Sequence, residues 1–210
     1  VLQYTQNKER GRSNDVLAIG NPDLNNPAYN LPMAEKEAER ITWSFPGAKV
    51  LTREEATESW LRENIQNYGI VHLAMHGEFK SETPMLSALR LRGDQTYDGQ
   101  LTAAEIFSLS INADLVALSA CQTGLGRVTP GDEVVGLNRS FVYAGSRQIL
   151  STLWRVDDVT TSVLMKYFYR EMDESSRAES LRQAQLRILN ETGNQHPVYW
   201  AGITLSGALD

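Results

Sequence analysis

The chain has 210 residues, 41% hydrophobic and 22% charged, a formal net charge of −6 at neutral pH and a single cysteine, which fits one core-bearing α/β domain. Its Lys and Arg residues are scattered among acids and form no basic stripe, which argues against nucleic acid and membrane surfaces as direct partners. One thiol cannot build a disulfide framework, no apolar run reaches the length of a membrane span, and no charged-then-apolar leader opens the chain, so a reducing, cytoplasmic setting is expected.

Apolar β-rich runs alternate with segments of helical period, which predicts a mostly parallel central sheet with helices on both faces. Residues 1–14 read as a polar lead-in from an upstream region of a longer protein, and 15–210 as one layered unit. VLAIGNP predicts a first strand ending at a Gly-Asn-Pro turn. Ala34, Ala38, Ile41 and Phe45 then recur at helical spacing, closed by Pro46-Gly47. AKVLTREEAT gives a short strand and loop, and Trp60, Leu61, Ile65 and Tyr68 share one side of a helix. IVHLAM, residues 70–75, is a continuous apolar strand that runs into His76-Gly77.

The turn-rich segment EFKSETPMLSALRLRGDQTYDG predicts a hairpin or flap around a short ALRL strand. Thr102 and Glu105 have the spacing of a capping box. ADLVALSA is a second apolar strand, running to Cys121 and the loop QTGLGRVTPGDE. Val134, Leu137, Asn138 and Phe141 define a helix that stops near Gly145. RQILSTLW is a third core strand, followed by Arg155-Val156-Asp157-Asp158 and a helix with Val159, Val163, Leu164, Phe168 and Met172 facing inward. Leu181, Ala184, Gln185 and Ile188 mark a last helix, and HPVYWAGITLSG a final strand opened by His196.

In open α/β sheets, ligands bind in the crevice beyond the carboxyl ends of the strands. His76 and Cys121 each stand just past such a strand, so they overhang one crevice if those strands are neighbours. A thiol peptidase needs a thiolate to attack a carbonyl, an imidazole to protonate the leaving amine and backbone N–H groups for the oxyanion. The glycine at 77 lets substrate backbone approach, and the N–H groups of Gly77 and Cys121 are the candidate oxyanion donors. The competing reading is structural, because free cysteine is among the most buried residue types and a histidine after a strand often serves packing. His72 lies about 13 Å along the strand from His76, at roughly 3.3 Å per residue, so the two cannot share a metal. No His/Asp/Glu cluster stands at ligand spacing and no glycine-rich nucleotide cradle follows a strand.

The blocks VHLAMHGEF, LTAAEIFSLSINADLVALSACQTGLG, GDEVVGLNRSFVYAGSRQILSTLWRVDD and SLRQAQLRIL with HPVYWAGITLSG resemble the CHAT domain, the caspase-like domain that commonly follows tetratricopeptide repeats. The resemblance runs from about residue 15 onward and implies a three-layer caspase-like fold related to caspases, gingipains and separases. The family histidine falls on His76 and the family cysteine on Cys121, about 45 residues later. It implies a cysteine endopeptidase acting on a protein or peptide substrate, no cofactor, and upstream tetratricopeptide repeats in the full-length protein.

The run LWRVDD resembles the separase stretch in which an aspartate at the position of Asp158 faces an arginine at the cleavage site. A carboxylate there selects Arg or Lys before the scissile bond. Asp157 departs from the separase pattern, and either acid is also placed to cap the helix beginning at Val159. The rival reading from another class is a latent or non-catalytic interaction module that uses the same crevice to bind a peptide or domain.

Overall fold

The computed structural model describes residues 15–80, 82–119, 132–154, 156–191, 193 and 195–208, with 132–135 and 191 as backbone only. Strands β1 (Val16–Pro22), β2 (Lys49–Arg53), β3 (Ile70–Ala74), β7 (Leu115–Leu118) and β8 (Gln148–Thr152) pair in parallel in the order β2-β1-β3-β7-β8. Strand β9 (Ile203–Gly207) closes the far edge, antiparallel to β8. The central strands β1, β3 and β7 are buried along their whole length, so their sequences are continuous apolar runs rather than alternating ones.

Successive residues of each strand serve opposite layers. Val16, Ala18, Ile70, Leu115, Ala117 and Leu150 pack with α1 (Pro32–Arg40), α5 (Asp158–Glu171) and α6 (Arg177–Glu191). Leu17, Ile19, Val71, Leu73, Val116 and Ile149 pack with α2 (Glu58–Asn64), α3 (Ala103–Phe107) and α4 (Asp132–Ala144). This is the helix–sheet–helix sandwich expected from the alternating pattern. Helix α1 lies so close to β1 that a Cβ added at Gly20 would meet Ala34 O at 2.4 Å and Ala38 Cβ at 2.7 Å. Glycine is therefore required there by helix–sheet contact.

The turn-rich segment after His76 folds as a small antiparallel sheet of β4 (Gly77–Glu78), β5 (Ala88–Arg90) and β6 (Gln100–Thr102). A Thr57–Arg92 bridge ties it to the body, and the expected capping box of Thr102 and Glu105 starts α3. Among the described residues no helix is long and apolar enough to cross a membrane.

Two local expectations need correction. Val159 is 56% exposed, not inward. The buried residues of α5 are Thr160, Thr161, Ser162, Leu164, Met165, Phe168 and Tyr169, with Val163 and Met172 packed against the same core, so the expected inward face holds except at Val159, where the small first-turn threonines take the buried positions. The HPVYW segment is not yet strand: Pro197 fixes φ and removes a donor, and the chain turns through a 3₁₀ segment, Pro197–Tyr199. His196 caps that turn, its Nδ1 accepting from Val198 N–H at 3.2 Å.

Candidate active site

The two strands that lead to His76 and Cys121 are neighbours. Leu73 of β3 pairs with Leu118 of β7, and Ser119 N–H donates to Leu73 O at 2.9 Å, so the two chains leave the sheet side by side. Cys121 itself lies outside the described residues. His76 is 6% exposed, and its Nε2 is 2.8 Å from the backbone oxygen of Tyr29, in the 3₁₀ turn Pro27–Tyr29 between β1 and α1. The Tyr29 ring meets the imidazole edge-on, with centroids 5.5 Å apart. A carbonyl oxygen only accepts, so this contact needs a proton on Nε2 and leaves Nδ1 as the basic nitrogen.

Burial pushes the His76 imidazole below its ordinary value. The Tyr29 carbonyl works in the opposite direction, Arg90 adds to the lowering, and the Asp158 carboxylate favours the charged ring. Desolvation is the largest of these influences, so His76 is held neutral more readily than a free histidine.

Gly77 follows in β4, paired with Leu89. Arg90 N–H donates to His76 O at 2.9 Å, which makes 76/90 and 78/88 the hydrogen-bonded pairs. Gly77 therefore occupies a non-hydrogen-bonded position, with its N–H pointing away from β5.

A shallow cleft opens beyond these strand ends, lined by Ala34, Glu37, Met75, Ser119, Asp158 and Thr161 among others. The two adjacent aspartates separate here. Asp157 is the N-cap of α5, its Oδ2 accepting from Thr160 N–H at 2.8 Å and from Thr160 Oγ1 at 2.9 Å. Asp158 is in the first turn and faces the cleft. Beneath the cleft, His72 is fully buried, with Nδ1 3.0 Å from Tyr169 OH and Nε2 3.1 Å from Glu37 Oε1. It is a core histidine, as its place on β3 predicts. Among the described residues no group of three or more His, Cys, Asp or Glu is arranged to hold a metal ion.

Two participants were not read from the sequence. The Tyr29 contribution is a backbone carbonyl, which carries no residue signature. Glu37 reads as an ordinary polar helix position until its 5% exposure is seen.

A family model described as the CHAT domain matches residues 2–208. Tetratricopeptide repeat protein 28 of Mus musculus is 27% identical over 233 residues, covering 92% of this chain and 9% of the relative. Its Homo sapiens counterpart is 26% identical with the same coverage. The chain thus spans about a tenth of the length of these relatives. Among solved structures, Saccharomyces cerevisiae separase in its securin complex aligns with a TM-score of 0.58 at 15% identity, over 93% of this chain and 12% of that one. The Arg-specific cysteine proteinase gingipain R aligns at 0.57 and 12% identity, over 95% and 47%. The Drosophila initiator caspase Dronc aligns at 0.51 and 9% identity, over 95% and 81%. At these identities the shared property is the fold, a caspase-like α/β sandwich. With the family model spanning nearly the whole sequence, the chain belongs to the CHAT domain family.

Proposed function

We propose that this domain is a cysteine endopeptidase that cleaves after Arg or Lys, with Cys121 as nucleophile and His76 as general acid/base. The observation that carries the reading is the parallel pairing of β3 with β7, which puts the exit of His76 beside the exit toward Cys121. Ser119, the last described residue of β7's exit, is itself a wall of the cleft.

In this mechanism Nδ1 of His76 takes the thiol proton while Nε2–H stays on the Tyr29 carbonyl. The thiolate forms a C–S bond to the scissile carbonyl carbon, and its oxygen becomes the oxyanion. The N–H groups of Gly77 and Cys121 stabilise that charge, each contributing about 2.7–4 kcal/mol in the transition state. His76 then gives its proton to the amine as the C–N bond breaks. In hydrolysis the neutral ring takes a proton from the attacking water, the C–S bond breaks, and that proton passes from Nδ1 to the departing thiolate, which restores the thiol. Asp158 receives the cationic side chain that precedes the scissile bond, as a carboxylate does for an Arg-specific peptidase. In the full-length protein, upstream tetratricopeptide repeats or a partner regulate access, and no cofactor takes part.

The test is cleavage of a fluorogenic peptide library varied at the residue before the scissile bond. Turnover after Arg and Lys that vanishes in Cys121→Ala supports the peptidase. A well-folded longer protein, repeats included, that turns over no peptide supports the interaction module instead.

A further inference from the structure

The carbonyl that orients His76 belongs to a loop, and a loop holds a group in place only where something fastens it. Residues 23–31 connect β1 to α1, and their ends are fastened by one side chain. Asn21 is 1% exposed and sits where the β1–β2 register shifts between Gly20 and Pro22. It adopts a left-handed conformation with φ 50. A bulge of this kind re-aims a side chain, and here it sends the Asn21 amide under the loop. Its Oδ1 accepts from Leu31 N–H at 2.7 Å. Its Nδ2 donates to Asn30 Oδ1 and to Glu35 Oε2, each at 2.8 Å.

The chemistry of these three bonds selects asparagine. One acceptor and two donors are needed, at a backbone position with positive φ. Aspartate supplies no donor and would set a carboxylate against Glu35; glycine tolerates the conformation but offers no side chain; glutamine is longer and less tolerant of positive φ. Asn30 Oδ1 also accepts from Arg53 Nη1 at 2.9 Å, and Asp23 is approached by Arg53 at 3.7 Å and Arg92 at 3.3 Å. The clamp therefore joins β1, β2 and the segment after β5 to the residue that directly follows Tyr29.

We propose that Asn21 is a positioning residue for His76, clamping the β1–α1 connection so that the Tyr29 carbonyl stays on the imidazole and fixes its tautomer. The role in turnover rests on the peptidase reading above, whereas the role in fixing the ring does not. Reorienting a catalytic group by about 1 Å costs up to about 100-fold in rate. Asn21→Gly, which keeps the backbone conformation and removes all three bonds, therefore lowers kcat about 10- to 100-fold with little change in KM.

The deciding experiment is ¹⁵N NMR of the imidazoles. The chain has three histidines, and buried His72 on β3, the strand that leads to His76, is an internal control for the fold. In the wild type His76 is expected as the Nε2–H tautomer alone; in Asn21→Gly it becomes a tautomer mixture while His72 is unchanged. A His76 signal that keeps its single tautomer in Asn21→Gly, with His72 also unchanged, overturns the proposal. If Asn21→Gly disturbs His72 as well, Asn30→Ala, which cuts one strand of the clamp, carries the same two outcomes. A wild type without turnover but with an Asn21-dependent tautomer would sink the peptidase reading and leave the clamp standing.

Discussion

Asp157 and Asp158 are adjacent in sequence but serve different surroundings: the first closes the N-terminus of α5 through Thr160, and the second faces the cleft beyond β3 and β7. Substitutions at the two positions should therefore separate stability from specificity. Asp157→Ala removes the cap and is expected to cost about 0.5–2 kcal/mol in urea denaturation, with the residue preference before the scissile bond intact. Asp158→Ala should leave the unfolding midpoint nearly unchanged and abolish the preference for Arg and Lys. Equal effects on both properties at both positions would contradict this division.

The electrostatics of His76 give a signed pH prediction. Arg90 lowers the imidazole pKa and Asp158 raises it. Arg90→Gln removes the lowering influence, so the ring should titrate at higher pH than in the wild type. Asp158→Asn removes the raising influence, and the ring should titrate at lower pH. NMR titration of His76 reads both shifts directly, and a shared direction would refute the assignment. The wild-type ring itself should titrate below pH 6.5, because burial dominates.

The polar group beneath the cleft has its own test. Burial raises the Tyr169 phenol well above its ordinary value, so it stays protonated and can donate to His72 Nδ1 at 3.0 Å. The imidazole then carries its proton on Nε2, 3.1 Å from Glu37 Oε1 but without hydrogen-bond geometry. Tyr169→Phe keeps the ring packing and leaves a buried acceptor without its donor, with an expected loss of about 1–3 kcal/mol in chemical denaturation. An unchanged midpoint would mean that this hydrogen bond contributes nothing.

Gly20→Ala probes the contact of α1 with β1. The added methyl would fall 2.4 Å from Ala34 O, so the helix must move away from the strand. Overpacking of this kind costs about 1–3 kcal/mol. Thermal denaturation at or above the wild-type midpoint would show that the contact gives way freely.

The layered fold was legible because β1, β3 and β7 are buried on both faces, and only such strands read as unbroken apolar runs. The Thr102–Glu105 capping box was legible because both partners are local. What escaped the sequence depends on contacts between distant segments or on backbone atoms. The Tyr29 carbonyl meets a histidine 47 residues away, and Asn21 gains its meaning only when a bulge turns it toward residues 30, 31 and 35. Val159 was misplaced because threonine is not counted as a core residue, yet Thr160 and Thr161 are 4% and 2% exposed. The division of labour between Asp157 and Asp158 was open in the sequence for a related reason, since one helical step of about 100° separates a cap from a cleft wall.

The most direct test of the central claim is the rate at which a peptidyl-arginine thiol-reactive probe labels Cys121, compared with its reaction with a free thiol at the same pH. A His76–Cys121 dyad with Asp158 in its pocket gives labelling faster than the free thiol, lost in His76→Ala and weakened in Asp158→Ala. Labelling of the folded wild type no faster than a free thiol, and indifferent to His76, would contradict it.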